Sequence, residues 1–197
     1  MRSDGKKNDG AGDTTILRRV AAARELHGVL AGAKPFEHRT AAPIEAYGTA
    51  IRRTSSAMGE MNVVAFCSRC AMTERGSCCF EEIGQAYDLP LLLLNLLLGC
   101  ELPRAREIPH GCFFLGPTGC TLTARYHFCV NYLCPDLRNA LGREGSERLL
   151  RIVGSEIAAG WEAEKEILRL MSTHPSGSGG PRGYEPSSAD VRARTIS

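Results

Sequence analysis

A chain of 197 residues with 43% hydrophobic and 23% charged residues has the composition of one ordinary domain plus tails, long enough to bury its own core. A formal net charge of +2 excludes polyanion binding driven by overall charge, and Arg52-Arg53 or Arg148 with Arg151 read as solvated faces. The longest leucine run, Leu89 to Leu98, is well short of the roughly 20 residues that span a bilayer, which excludes a helical membrane span there.

Residues 1–13 are polar and glycine-rich, so they are expected to be disordered. They offer no apolar stretch for a secretion signal, so the chain is expected to stay in a reducing cytoplasm. A first helix is expected from Asp13 or Thr14, whose side-chain oxygen can accept from a free first-turn amide. Ile16, Leu17, Val20, Ala23, Leu26 and Leu30 follow at helical spacing, up to a break near Gly32. A second helix is expected to open at Pro43, with Ile44, Tyr47, Ile51 and Met58 as its apolar stripe.

Phe80 to Leu98 reads as a third helix, kinked near Pro90, with a mixed first half and an almost wholly leucine second half. A helix apolar all round belongs in the interior, so this one is expected to underlie the metal-binding loops. From Glu101 to Cys134 the helical period is lost. Cys112 to Leu115 and Cys120 to Thr123 read as short extended pieces around a Gly116-Pro117-Thr118-Gly119 turn. Helical pattern returns after Pro135, breaks near Gly142 to Gly145, and resumes with Ser146 as cap. That final helix carries Leu149, Leu150, Val153, Ile157, Trp161, Leu168 and Met171. The expected fold is mainly α, with helices flanking an irregular, cysteine-rich metal-binding core and at most short strands. A single helical domain spans 14–174 with its core at 66–135, and a disordered tail fills 175–197.

All nine cysteines lie between Cys67 and Cys134, a density that means disulfides or bound metal. In a reducing compartment, grouped cysteines more often hold metal, and an odd number suits pairing poorly. Cys67-x-x-Cys70 can chelate one ion from a tight turn, and it is joined by adjacent Cys78 and Cys79 and by Cys112, Cys120, Cys129 and Cys134. Eight thiolates suit two four-thiolate zinc sites, or one iron–sulfur cluster with thiolates to spare. Thiolate sulfur alone does not choose between the two metals. The early group from Cys67 to Cys79 and the late group from Cys112 to Cys134 are expected to meet around a shared inorganic centre. Cys78 and Cys79 point to opposite sides of an extended backbone and can serve two centres, or only one of them ligates. Cys100 reads as a small buried apolar residue, and His110 and His127 as neighbours able to replace a thiolate. Arg125 reads as a cation that offsets thiolate charge.

These residues resemble the YkgJ-type cysteine-cluster family of zinc- or iron-chelating domains. Cys67 and Cys70 match its first pair, Cys78 and Cys79 its adjacent pair, and Cys112-Phe113-Phe114-Leu115 its third element. Cys120, Arg125 and Cys129 reproduce its closing spacing, with Tyr126 where proline is usual and a longer gap between Cys70 and Cys78. The resemblance implies metal binding, as zinc or an iron–sulfur cluster. One branch resembles flagellin lysine methylases, which pair a cluster with S-adenosylmethionine. This chain has no glycine-rich strand-to-helix loop that would cradle a nucleotide-like cofactor.

Three functions compete. A metal-binding protein with a structural or electron-handling centre needs no further groups, and the sequence has no nucleophile beside a histidine and no phosphate loop. A metal- or cluster-dependent enzyme would need a pocket, with His110, His127, Glu74, Glu81 and Glu82 as the nearby polar groups. A zinc-stabilised interaction module for nucleic acid would need a basic face, yet Arg69, Arg75, Arg104 and Arg106 are offset by nearby glutamates.

Overall fold

The computed structural model describes residues 9–31, 41–71 and 77–173. Helix α1 (Asp9–Ala31) and helix α2 (Ala41–Glu60) come first. Helix α1 begins four residues before the expected Asp13, and α2 two residues before Pro43. Residues 1–8 and 174–197 lie outside the described residues, and with them most of the expected disordered ends. Ile16, Val20, Ala23 and Leu30 are buried along one face of α1, whereas Leu17 is 38% exposed.

Asn62 then takes a left-handed conformation (φ 57°), which its short polar side chain tolerates, and turns the chain into α3 (Val63–Ala71). The Phe66 amide donates to the Asn62 carbonyl at 3.0 Å and extends hydrogen bonding across the junction. No helix was expected here from the sequence. Val63, Phe66, Cys67 and Cys70 nonetheless recur at helical spacing, and Val63 is buried.

The expected kinked helix from Phe80 to Leu98 is two elements. A 3₁₀ turn spans Glu81–Ala86, Tyr87 and Asp88 are extended, and α4 spans Leu89–Leu97. Asp88 caps α4 by accepting from the Leu91 amide at 3.0 Å. Pro90 lies in the first turn, where its missing donor is no loss; it starts the helix and does not kink it. Gly99 (φ 78°) ends α4: its amide donates to Leu96 O at 3.0 Å and the Cys100 amide to Asn95 O at 2.9 Å. That pairing requires a left-handed residue, which glycine supplies without strain. Leu92, Leu93 and Leu94 are fully buried, as expected of a helix apolar all round.

A two-stranded antiparallel hairpin follows, β1 (Leu115–Gly116) and β2 (Gly119–Cys120), with Leu115 opposite Cys120. Short helix α5 (His127–Asn131) carries Cys129 where no helix was expected, and α6 (Pro135–Thr173) closes the fold. Gly142 (φ 66°, ψ 179°) breaks α6 into two helical runs, near the expected position. Ser146 does not cap the second run; its hydroxyl donates back to the Gly142 carbonyl at 2.7 Å. Leu149 and Val153 are buried as expected, but Trp161 is 61% exposed, and Ala163 and Ile167 make the buried stripe beyond it.

The apolar interior has three parts. Helix α1 packs Ile16, Val20 and Ala23 against Ile83, Tyr87, Leu92, Phe113 and Phe114. Leu26 and Leu30 meet Tyr47, Ile51, Leu93, Leu94 and Ile167. Val63 joins Met58, Val130, Leu133, Leu137, Leu149 and Val153. Full burial of side chains such as Phe113 and Phe114 contributes about 1.5–3 kcal/mol each. Among the described residues no helix is long and apolar enough to cross a membrane.

Candidate metal centre

The cysteines enter the site from separate elements. Cys67 and Cys70 lie one turn apart on one face of α3, so their spacing is that of a helix and not of the expected tight turn. Cys78 and Cys79 precede Phe80, which forms an isolated antiparallel bridge with Gly111, and the Cys112 amide donates to Cys79 O at 2.8 Å. Cys120 follows from the hairpin, Cys129 from α5, and Cys134 stands just before α6, its sulfur accepting from the Leu137 amide at 3.4 Å.

Six of these thiols, from Cys67, Cys78, Cys79, Cys112, Cys120 and Cys129, line one cavity of about 510 Å³. Its other walls are largely apolar, with Ile51 and Met58 from α2, and Phe114 and Val130. Cys70 and Cys134 stand outside that lining, and the sulfurs of Cys78, Cys134 and Cys70 all act on the Cys67 thiol. The nine cysteines are free thiols.

Burial sets the acidity of most of them. It pushes Cys67 and Cys112 up to about 11 and Cys129 up to about 12, because a thiolate loses hydration there. Neighbouring thiols add to the rise, while the Arg125 charge opposes it at Cys67 and Cys129. Cys120 is exposed as a residue, yet desolvation raises its thiol too. The adjacent pair behaves differently: a hydrogen bond from the Cys79 thiol draws Cys78 down to about 6 and drives Cys79 far up.

Two groups not singled out in the sequence hold this site. The Tyr87 hydroxyl accepts from the Tyr126 amide at 3.1 Å and reaches Cys129 Sγ at 3.9 Å. Asn95, fully buried in α4, donates to the Ala124 carbonyl at 2.8 Å and accepts from the Ala124 amide at 2.9 Å. The signal for Asn95 was legible as a polar residue inside a leucine run, since a buried amide must find partners. Next to Ala124, half-buried Arg125 points into the cavity, touching Met58 Sδ at 3.6 Å. It forms no ion pair among the described residues.

The remaining candidates fall away from the cavity. His110 is exposed with a left-handed backbone (φ 60°), and His127 lies at the surface with its ring 4.2 Å from that of Tyr126. Glu81 is paired with Arg106, which also holds Asp13 of α1, while Glu74 and Arg75 lie outside the described residues. Cys100 is only half-buried, not the buried apolar residue expected; its thiol donates to the Thr121 carbonyl at 3.4 Å.

Among the described residues the cavity is lined by six thiols and several hydroxyls, with no carboxylate or imidazole. The thiols are a soft set that suits zinc or an iron–sulfur cluster and not a hard oxygen-seeking cation. Among the described residues no three of His, Cys, Asp and Glu stand close enough to hold one ion, so ligation requires the thiols to draw inward. No protein-family model matches this chain, and neither the curated proteins nor the solved structures contain a match to it.

Proposed function

We propose that this chain is a metal-binding protein of the YkgJ type, holding zinc or an iron–sulfur cluster through Cys67, Cys70, Cys78, Cys79, Cys112, Cys120, Cys129 and Cys134, with a structural or electron-handling role. The observation that carries the reading is the convergence of six thiols from five separate segments on one cavity. A packed interior has no use for that many free thiols around one cavity, whereas thiolate ligation gives every one of them a partner. Bound zinc would tie these segments together, and a cluster would add one-electron chemistry. Arg125 at the same cavity offsets part of the negative charge that four thiolates leave on a divalent ion.

A second reading has its own support. A cavity of about 510 Å³ beside the thiols is within the range that takes a small molecule, and Arg125 faces it. That arrangement suits a metal- or cluster-dependent enzyme acting on an anionic substrate.

Anaerobic purification followed by metal analysis and visible absorption tests the main reading. Colourless protein with stoichiometric zinc, or brown protein with iron and acid-labile sulfide, is the expected result. A stably folded protein that takes up neither metal on anaerobic reconstitution would overturn it.

A further inference from the structure

The eight cysteines of the motif divide in sequence into an early four and a late four, but they do not divide that way in space. We infer that they form two adjoining four-sulfur centres, Cys67/Cys70/Cys78/Cys134 and Cys79/Cys112/Cys120/Cys129, joined at the Cys78–Cys79 peptide bond. This division rests on the metal-binding reading and adds the assignment of each ligand.

Packing sets most of the two groups against different apolar clusters, although α3 also touches the hairpin, where Ser68 donates to the Thr118 carbonyl at 3.1 Å. Cys67 and Cys134 lie against the cluster of Val63, Leu133 and Leu137. Cys79, Cys112 and Cys129 lie against a different cluster, around Tyr87, Phe113 and Phe114. Backbone pairing gives the second set its own frame. The Cys112 amide is bonded to Cys79 O at 2.8 Å, and Cys120 faces Leu115 across the hairpin. Tyr87 reaches Cys129 from the same cluster at 3.9 Å. In the first set Cys70 follows Cys67 by one helical turn, and Cys134 arrives at the same core through its neighbour Leu133.

The electrostatic neighbours repeat the division. Cys78, Cys134 and Cys70 act on Cys67, while Cys120 and Cys112 act on Cys129, and Cys129 and Cys120 act on Cys79. The Cys78–Cys79 pair stands at a bend and not on the extended backbone expected, with its two thiols hydrogen-bonded to each other, so it lies where the two sets meet. Arg125 lines the cavity together with Cys67 of one set and Cys120 and Cys129 of the other.

Double variants in the full-length chain distinguish this division from the sequence-order one. The protein is reconstituted anaerobically with zinc, and in parallel with ferrous iron and sulfide, and its metal content is measured. Cys67→Ser with Cys134→Ser should remove only one centre and leave half the wild-type metal. Cys134→Ser with Cys129→Ser should remove both and leave almost none. Complete loss in the first double variant, or about one zinc per wild-type chain, overturns the division while leaving metal binding intact. Wild type without metal under both loadings overturns the metal-binding reading and the division with it. Should a variant fail to fold, wild type with limiting zinc is alkylated and its cysteines mapped. Protection of Cys67 together with Cys134, in a block separate from Cys79 and Cys129, supports the division. Co-protection of Cys67 with Cys79 overturns it.

Discussion

Asn95 and Ala124 exchange two hydrogen bonds across 29 positions of chain, the Asn95 side chain reading both backbone groups of Ala124 in the buried interior. The same Asn95 accepts, through its carbonyl, the Cys100 amide that closes α4. One residue thus fixes both the end of the leucine helix and the loop that carries Arg125 to the cysteine cavity. Replacement by leucine, which keeps size and burial, strips partners from two buried backbone groups. Each unsatisfied group costs about 1–3 kcal/mol, so Asn95→Leu should lower the melting temperature by several degrees. An unchanged melting temperature would mean that the loop is held by other contacts.

Glu156 is 1% exposed, and neither carboxylate oxygen has a hydrogen-bond partner among the described residues. A carboxylate held this way is destabilising, because burial removes hydration that nothing replaces. Glu156→Met, close to it in shape, should therefore raise stability by about 1–3 kcal/mol in denaturant unfolding. A loss of stability would identify an interaction of the carboxylate that offsets its burial.

Tyr87→Phe keeps the ring that lies 4.7 Å from Phe114 but removes the acceptor of the Tyr126 amide. The expected cost is about 1 kcal/mol of stability, read by chemical denaturation. The spacing of Cys129 from the rest of its group should loosen as well, visible as faster thiol alkylation at that residue.

Metal uptake should be strongly pH-dependent. With Cys67 and Cys112 raised to about 11 and Cys129 to about 12, these thiols are protonated at neutral pH, and ligation releases their protons. Affinity therefore rises with pH, by about tenfold per pH unit for each proton displaced, until the raised values are reached. Cys78, drawn down to about 6, adds to that slope only below its own value. Zinc affinity by chelator competition across neutral to mildly alkaline pH measures the slope, and a flat profile would contradict it.

Cysteine variants should act unequally. Cys100 donates to a backbone carbonyl outside the cavity lining, so Cys100→Ser should leave metal content unchanged, whereas Cys70→Ser should lower it. Metal analysis of the two purified variants checks this, and equal losses would make Cys100 a ligand.

Much of the helical framework could be read along the chain because it depends on local spacing. Ile16, Val20, Ala23 and Leu30 repeat at a helical period and are buried as one face, and the turn at Gly116 to Gly119 follows from its residues. Helix α3 is not legible in the sequence because its apolar face is only partly buried and is built in part from Cys67 and Cys70, whose spacing equally suits a ligand-bearing turn. Trp161 falls at the helical period of the final helix and is exposed, since period alone does not say which residues of a stripe a neighbouring helix covers.

By itself the sequence determined the chemistry on offer: nine thiols in one stretch of a mainly helical chain, with two histidines and several carboxylates interspersed among them. Only the tertiary structure decided which sulfurs are neighbours. Cys134 is brought back to Cys67 by a shared apolar cluster around Val63, Leu133 and Leu137, and Cys79 is drawn to Cys112 by a backbone hydrogen bond. Both are contacts between residues far apart in the chain, made by side-chain packing and strand pairing, and spacing along a sequence carries no record of them.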